Sequence, residues 1–348
     1  MTELFNEKLF EKLRAEYISG ILDKKNNIIS GNIKPPDKII DKYPLINSEI
    51  YNYYNSEGEL SIRNNELSVL IMNGGMATRF GTEVKGIVEV FHNKSFLQLK
   101  IENIKNISEK YGVKIYVFIM NSLFTDIPTR NHFEKNNYFG YDKKYVKFFN
   151  QYVFKRIKTE GSIISDKDNL YYGSGHGDFF YAFQEFVIPD IDKNIKYIFY
   201  SNVDNVGACV DTVILGYHKA KMKSVTVEVA KKNKGDKGGV PAIVDGIPQI
   251  VEGFKLPDNF DHDSIKEFNT ASYIFSMNIF EKKINLPFYV VEKKIEKENV
   301  IQFERIAGDL TMFFDSNYIE INRKDRFIPV KTKEDMENIP ECVKQKFY

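Results

Sequence analysis

From Leu67 onward the chain alternates short apolar runs with longer amphipathic segments. "LSVLIM" (67–72), "KIYVFIM" (114–120), "KYIFYSNV" (196–203) and "SVTVEVA" (224–230) are runs of the kind that strands covered on both faces require. "SFLQLKIENIKNISEKYG" (95–112) repeats its apolar residues at helical spacing, with Ser95 placed to cap its start and Gly112 its end. "DTVILGYHKAKM" (211–222) reads as another helix. The alternation predicts an α/β fold with a Rossmann-like, mixed but mostly parallel sheet flanked by helices.

"VPAIVDGIPQIVE" (240–252) breaks the rhythm, because two alternating runs flank Asp245-Gly246, a pair favoured in tight hairpin turns; a hairpin inserted late in the fold is expected. "QFERIAGDLTMFF" (302–314) is read as a helix, and "YIEI" and "RFIPV" as strands. Residues 1–62 read as one or two helices and a turn-rich connection containing Pro35, Pro36 and Pro44, a helical extension rather than a domain. A catalytic domain over 63–335 and a short tail over 336–348 complete the expected organisation.

With 348 residues, the chain is long enough for one main domain with additions. No run approaches the roughly 20 apolar residues of a membrane span, and the amphipathic start lacks the continuous apolar core of an export signal. Cys209 and Cys342 are too few for a disulfide framework, so the cytoplasm is the expected compartment. Forty-nine basic against 48 acidic residues leave a net charge of +1, which gives no field to attract nucleic acid. Any anion must be held locally.

"NGGMATRFG" (73–81) follows the first inner strand and lacks both the Walker ending and the G-x-G-x-x-G spacing, yet it sits where a phosphate loop belongs. Gly74 and Gly75 free the backbone for a ligand, Arg79 adds a fork of donors and Lys85 a point charge. Gln151, in "FFNQYVFKRI", reads either as a buried structural amide or as a group that addresses a base edge. "YYGSGHGDFFYAF" offers open backbone around Gly175 and His176. Asp204 ends a hydrophobic strand between Asn202 and Asn205, a position suited to Mg²⁺, and Lys237 and Lys331 stand in "GDKGG" and "DRFIPVK".

In this order the pieces resemble the UTP–sugar-1-phosphate uridylyltransferases, the UDP-glucose and UDP-N-acetylglucosamine pyrophosphorylases, over roughly residues 65–335. The motifs that carry the resemblance are "NGGMATRFG", "VKG", "MNS", "FNQ", "GHGD", "SNVDNVGACVD", "DKGG", "FNTAS" and "RFIPVK". The resemblance implies a nucleotide-diphospho-sugar transferase fold and transfer of uridylyl from UTP to a hexose 1-phosphate, most simply glucose 1-phosphate, with pyrophosphate released. It further implies that Gly74, Gly75 and Arg79 cradle the triphosphate with Lys85 beside it, and that Gln151, Gly175 and His176 read the uracil. Gly239, Glu252 and Asn269 would contact the sugar, Lys237 and Lys331 would steady the reacting phosphates, and Asp204 would hold Mg²⁺.

The chain departs from the family at Val84, where Pro is common, and at Ala271-Ser272, where glucose-type members carry asparagine. After so short a tail, the C-terminal left-handed β-helix of eukaryotic glucose-type members is expected to be missing. Three other activities compete with glucose transfer: the N-acetylglucosamine enzyme, a glycosyltransferase of the same fold, in which Asp204-Asn205 would replace an Asp-x-Asp motif, and a silent nucleotide binder. The oligomeric state is not legible. The expected partners are UTP and a sugar 1-phosphate, with neither nucleic acid nor membrane.

Overall fold

The continuous apolar runs become the inner strands of one sheet in the computed structural model, which describes residues 4–36, 38–76, 81, 84–166, 169–233, 235–236, 238–295 and 298–347. Numbered along the chain, the strands of this sheet are β1 Ile40–Lys42, β2 Leu67–Asn73, β3 Tyr116–Asn121, β4 Val146–Asn150, β5 Tyr197–Asn202, β6 Val225–Lys231, β7 Glu267–Ser276 and β8 Ser316–Glu320. They lie in the order β1-β8-β6-β7-β5-β2-β3-β4. Only β7 runs against its neighbours, β6 and β5; the other pairs are parallel.

Both faces of the sheet are covered, as continuous apolar strands demand. Val69 and Ile71 of β2 enter one core with α2 (Glu49–Arg63), α3 (Phe96–Tyr111) and α6 (Thr212–Lys221); Leu70 and Met72 enter the other with α5 (Phe179–Phe186). The caps expected for α3 are present: the Ser95 hydroxyl accepts from the Gln98 N–H at 3.1 Å, and Gly112 closes the helix with φ 68°. The inserted hairpin is present too, Val240–Val244 pairing with Ile247–Val251 across a turn in which Asp245 and Gly246 have φ 49° and 86°.

The N-terminal stretch is woven in more tightly than a helical extension. Besides α2 and the first helix, Glu7–Ile18, it supplies β1 to the sheet edge and Ile33–Lys34 to the hairpin. Phe10 and Leu13 of the first helix fill a third apolar cluster with Phe154, Tyr172 and Phe303.

Two sequence expectations are corrected. Residues 302–314 are not one helix: Gln302 to Glu304 end a strand, Glu298–Glu304, that pairs with Tyr289–Ile295, and a separate 3-10 turn, Ala307–Met312, follows. Pairing along a neighbouring strand outweighed helix propensity there. "RFIPV" is not a sheet strand either; Arg323–Arg326 is a single helical turn, and the following residues bond to the loop after β5, where Pro329 has no N–H to give a ladder.

Strand β7 bulges opposite Glu228 and Val229, and Ala271 in the bulge has φ 55°. A side chain in this left-handed region costs about 1–2 kcal/mol. Ala271→Gly should therefore raise stability by about 1 kcal/mol, seen as a higher urea midpoint at unchanged slope.

Candidate active site

The parallel strands β2, β3, β4 and β5 all end at one rim of the sheet, each on an asparagine: Asn73, Asn121, Asn150 and Asn202. Two of these side chains, Asn73 and Asn121, brace the rim. Asn73 donates to Asn121 Oδ1 and to Thr129 Oγ1, both at 2.8 Å, and Asn121 donates to Asp126 Oδ1 at 2.9 Å. The loops that leave this rim surround a cavity of about 750 Å³, in the position where open α/β sheets bind ligands. Gly74, Gly75, Lys85, Gln151, Gly175, His176 and Asp204 all line it.

Gln151 follows β4 directly, and its N–H is fixed to Asn121 O at 3.0 Å. Its amide is packed between two glycines: a Cβ at Gly173 would sit 2.0 Å from Gln151 Nε2, and one at Gly74 2.9 Å from it. Only glycines leave room for the amide to face the cavity. Across from it, His176 Nδ1 accepts the Ala307 N–H at 3.1 Å, which leaves the proton on Nε2. Desolvation in the cavity wall lowers this imidazole below its ordinary value and favours the same neutral form, although much of its surface opens on the cavity. A neutral donor beside a free amide suits an uncharged heterocycle.

The loop after β5 carries Asp204, whose carboxylate forms an ion pair with Lys85 Nζ. Both side chains are 16% exposed, so the pair sits in the cavity wall rather than in bulk water. Val330 N–H donates to Asp204 O at 3.0 Å, which brings Lys331 beside the same loop. The Lys331 side chain is exposed, while its backbone N–H is held by Asp335 Oδ2 at 2.8 Å. Arg79 and Lys237 lie outside the described residues.

The residues expected to meet the sugar form a second group. Asn269 N–H donates to Gly239 O at 2.7 Å, and a Cβ on Gly239 would lie 2.7 Å from Glu252 Oε1. Glu252 lines a different cavity, of about 910 Å³, with Lys232, Asn233, Asp236 and His262. A short turn connects the two places: Ala307 bonds to His176, and two residues on Asp309 pairs with the buried Lys255 at 2.7 Å, near Glu252. The structure thus gathers Gly74, Gly75, Lys85, Gln151, Gly175, His176 and Asp204 around one cavity and sets the residues expected at the sugar beside another.

Glu252 has an unusual charge state. Burial first, and then Asp309, push its carboxyl up to about 7 from 4.5, with Lys255 opposing. It binds more protons folded than unfolded between these values, so its contribution to stability, complete below about 4.5, is lost as pH rises through about 7. Glu252→Gln should stabilise the protein at pH 8 by on the order of 2 kcal/mol and do little at pH 4.5. Urea unfolding at both pH values checks this.

Several cavity residues were not visible in the sequence. Arg156, whose Nη1 donates to Tyr171 O at 2.7 Å, lines the cavity, and so do Lys293, Lys294, Gln302 and Glu304 of the paired strands 289–295 and 298–304. In the sequence "VEKKIEKE" looks like a solvated charge run, and only the strand pairing brings Lys293 and Lys294 to the cavity. Lys100, buried beneath the loop of Asp204, did leave a trace, since it shares the apolar stripe of α3 with Leu97, Ile101 and Ile104.

The free amide of Gln151, glycine-opened backbone, a rim of lysines and the carboxylates of Asp204 and Glu304, with no nucleophile poised by a base among the described residues, can bind a nucleotide and stabilise charge during phosphoryl chemistry. Comparison with known proteins agrees. The family model for UTP–glucose-1-phosphate uridylyltransferase matches residues 7–340. UTP–glucose-1-phosphate uridylyltransferase 2 of Dictyostelium discoideum is 30% identical over 355 residues, 94% of this chain and 70% of that protein. The enzyme of Astragalus penduliflorus is 30% identical over 356 residues, 95% of this chain and 73% of its own. Among solved structures, a UDP-N-acetylglucosamine pyrophosphorylase from Trypanosoma brucei, in complex with an inhibitor, superposes with a TM-score of 0.78 at 20% identity, covering 95% of this chain and 75% of that one. A mutant UDP-glucose pyrophosphorylase from Leishmania major in complex with UDP-glucose gives a TM-score of 0.73 at 20% identity over 92% and 73%. The chain belongs to the UTP–glucose-1-phosphate uridylyltransferase family and is a nucleotidyltransferase.

Proposed function

We propose that the chain joins UTP and glucose 1-phosphate into UDP-glucose, with pyrophosphate released. The observation that carries this is the convergence of Gly74, Gly75, Lys85, Gln151, His176 and Asp204 on one cavity, in a chain whose family is named for that reaction. A phosphate oxygen of the sugar phosphate attacks the α-phosphorus of UTP. The bond to the bridging oxygen breaks, and its electron pair leaves with pyrophosphate. Gln151 and His176 face the uracil, and Gly74 and Gly75 let the triphosphate approach the backbone. Lys85 and Lys331, with Arg79 and Lys237, offset the charge of the reacting phosphates.

Asp204 is the residue we assign to Mg²⁺. Among the described residues no group of three or more His, Cys, Asp or Glu side chains converges, so a metal here would take one carboxylate and complete its shell from waters and phosphates, as Mg²⁺ does. When bound, it would neutralise phosphate charge. We assign Gly239, Glu252 and Asn269 to the sugar; the short turn through Ala307 joins their neighbourhood to that of the uracil. No described helix is long and apolar enough to cross a membrane, and both cysteines are free, which supports the cytoplasm as the compartment.

Incubation with UTP, Mg²⁺ and a panel of sugar 1-phosphates, followed by pyrophosphate assay, tests the reading. Release should be fastest with glucose 1-phosphate. Release with N-acetylglucosamine 1-phosphate alone would overturn the sugar assignment, and no release with any sugar would overturn the activity.

A further inference from the structure

Lys100 stands in α3, one helical turn after its start, and is 5% exposed. The neighbours on its stripe, Leu97, Ile101 and Ile104, are apolar core residues. An ammonium in such a place is costly unless all of its donors are used. They are used: Nζ donates to Ala208 O at 2.6 Å, to Asn205 O at 2.7 Å and to Ser201 Oγ at 3.3 Å. Burial pulls Lys100 down to about 8, and Asp204 and Glu228 are among the charges that oppose the fall.

Two of the three acceptors belong to the loop that carries Asp204, and the third belongs to the end of β5 just before it. One turn along α3, Asn103 Oδ1 accepts from Val210 N–H at 3.2 Å, so the same helix face grips the far end of the loop. The opposite side is held by Arg326, which donates to Cys209 O at 3.0 Å, and by Ile328 N–H on Asn205 Oδ1 at 2.9 Å. Lys100 is the one side chain among these that joins the strand end to both arms of the loop. We propose that Lys100 is a positioning residue for uridylyl transfer: it fixes the loop after β5 so that the Asp204 carboxylate meets Lys85 and stays in place for the cation it would hold at the reacting phosphates. The proposal rests on the role given above to Asp204.

A residue that only stabilises the fold would change unfolding and leave turnover alone. A positioning residue changes turnover while substrate affinity holds, since misplacing a reacting group by about 1 Å can cost about 10²-fold. Lys100→Met keeps the stem and removes the ammonium; Lys100→Gln keeps two N–H donors without charge. In Lys100→Met, hydrogen exchange of the amides in residues 202–210 should accelerate roughly tenfold or more, kcat should fall about 10- to 100-fold and KM for UTP should move less than about threefold. Lys100→Gln should lie between this variant and the wild type.

Unchanged kcat and unchanged loop exchange in a folded Lys100→Met would overturn the proposal, as would accelerated exchange with wild-type kcat. If Lys100→Met does not fold, Lys100→Gln decides alone. A joint loss of loop protection and kcat supports positioning, and wild-type values of both overturn it. Asp204→Asn, measured in parallel, separates the two ideas. Wild-type turnover in Asp204→Asn would overturn the role of Asp204, and with it the catalytic part of the proposal, whereas loop exchange still reports whether Lys100 holds the loop.

Discussion

Asp204→Ala should lower turnover by about 10²–10³-fold, the usual cost of removing a well-placed charge-stabilising group, while the protein stays folded. The carboxylate does two jobs that alanine cannot do. It holds Lys85 by an ion pair in the cavity wall, and it lines the cavity together with Gly74 and Gly75, where we place the phosphates. Without it, Lys85 loses its orientation, and Mg²⁺ reaches the site only through substrate phosphates. The loop itself should survive, because its other bonds run through backbone and through Lys100, Arg326 and Asn205. The measurement is pyrophosphate release at saturating UTP and glucose 1-phosphate over a series of Mg²⁺ concentrations. Reduced turnover together with a higher half-maximal Mg²⁺ concentration is the expected pair of results; wild-type values of both would remove Asp204 from the metal and charge roles together.

The parts of this site that could be read from the sequence are those fixed by strand ends. A buried parallel strand must release its chain at the rim, so the residues just after "LSVLIM" and "KYIFYSNV" were bound to meet there once the sheet formed, and Gly74, Gly75 and Asp204 do. Gln151 stood out as an amide in an apolar run, and only the structure places it as the first residue beyond β4. Residues whose position depends on pairing distant in sequence were not legible. Lys293 and Lys294 reach the rim only because 289–295 pairs with 298–304, whose own helix-like sequence concealed the strand. Glu252 acquires its raised pKa from burial first and from Asp309, over fifty residues away, second, and both arise only once the hairpin packs against the Ala307–Met312 turn. Lys100 was hidden by its type, since a lysine in a helix is ordinarily a solvated group; its place on the apolar stripe was the contrary signal.

The second large effect is expected at Lys331. Lys331→Ala should reduce kcat by about 10²–10³-fold with KM for UTP nearly unchanged. Nothing structural depends on the side chain. Its position comes from the main chain: Val330 N–H on Asp204 O at 3.0 Å on one side, and on the other its own N–H on Asp335 Oδ2, within the capping box that Thr332 and Asp335 make at the start of the helical turn Lys333–Glu337. A methyl group in its place leaves these bonds intact, so thermal unfolding should not shift, and lost activity can be attributed to the missing ammonium. The uracil contacts we propose lie on Gln151 and His176, on other loops of the rim, which is why binding of UTP should hold while the step that moves charge suffers. Lys331→Arg, which keeps the charge but not the compact shape, should recover only part of the rate. A wild-type kcat in Lys331→Ala would show that the lysine beside the Asp204 loop is a solvated surface group, and the charge that develops during transfer would then fall to Lys85 and its partners alone.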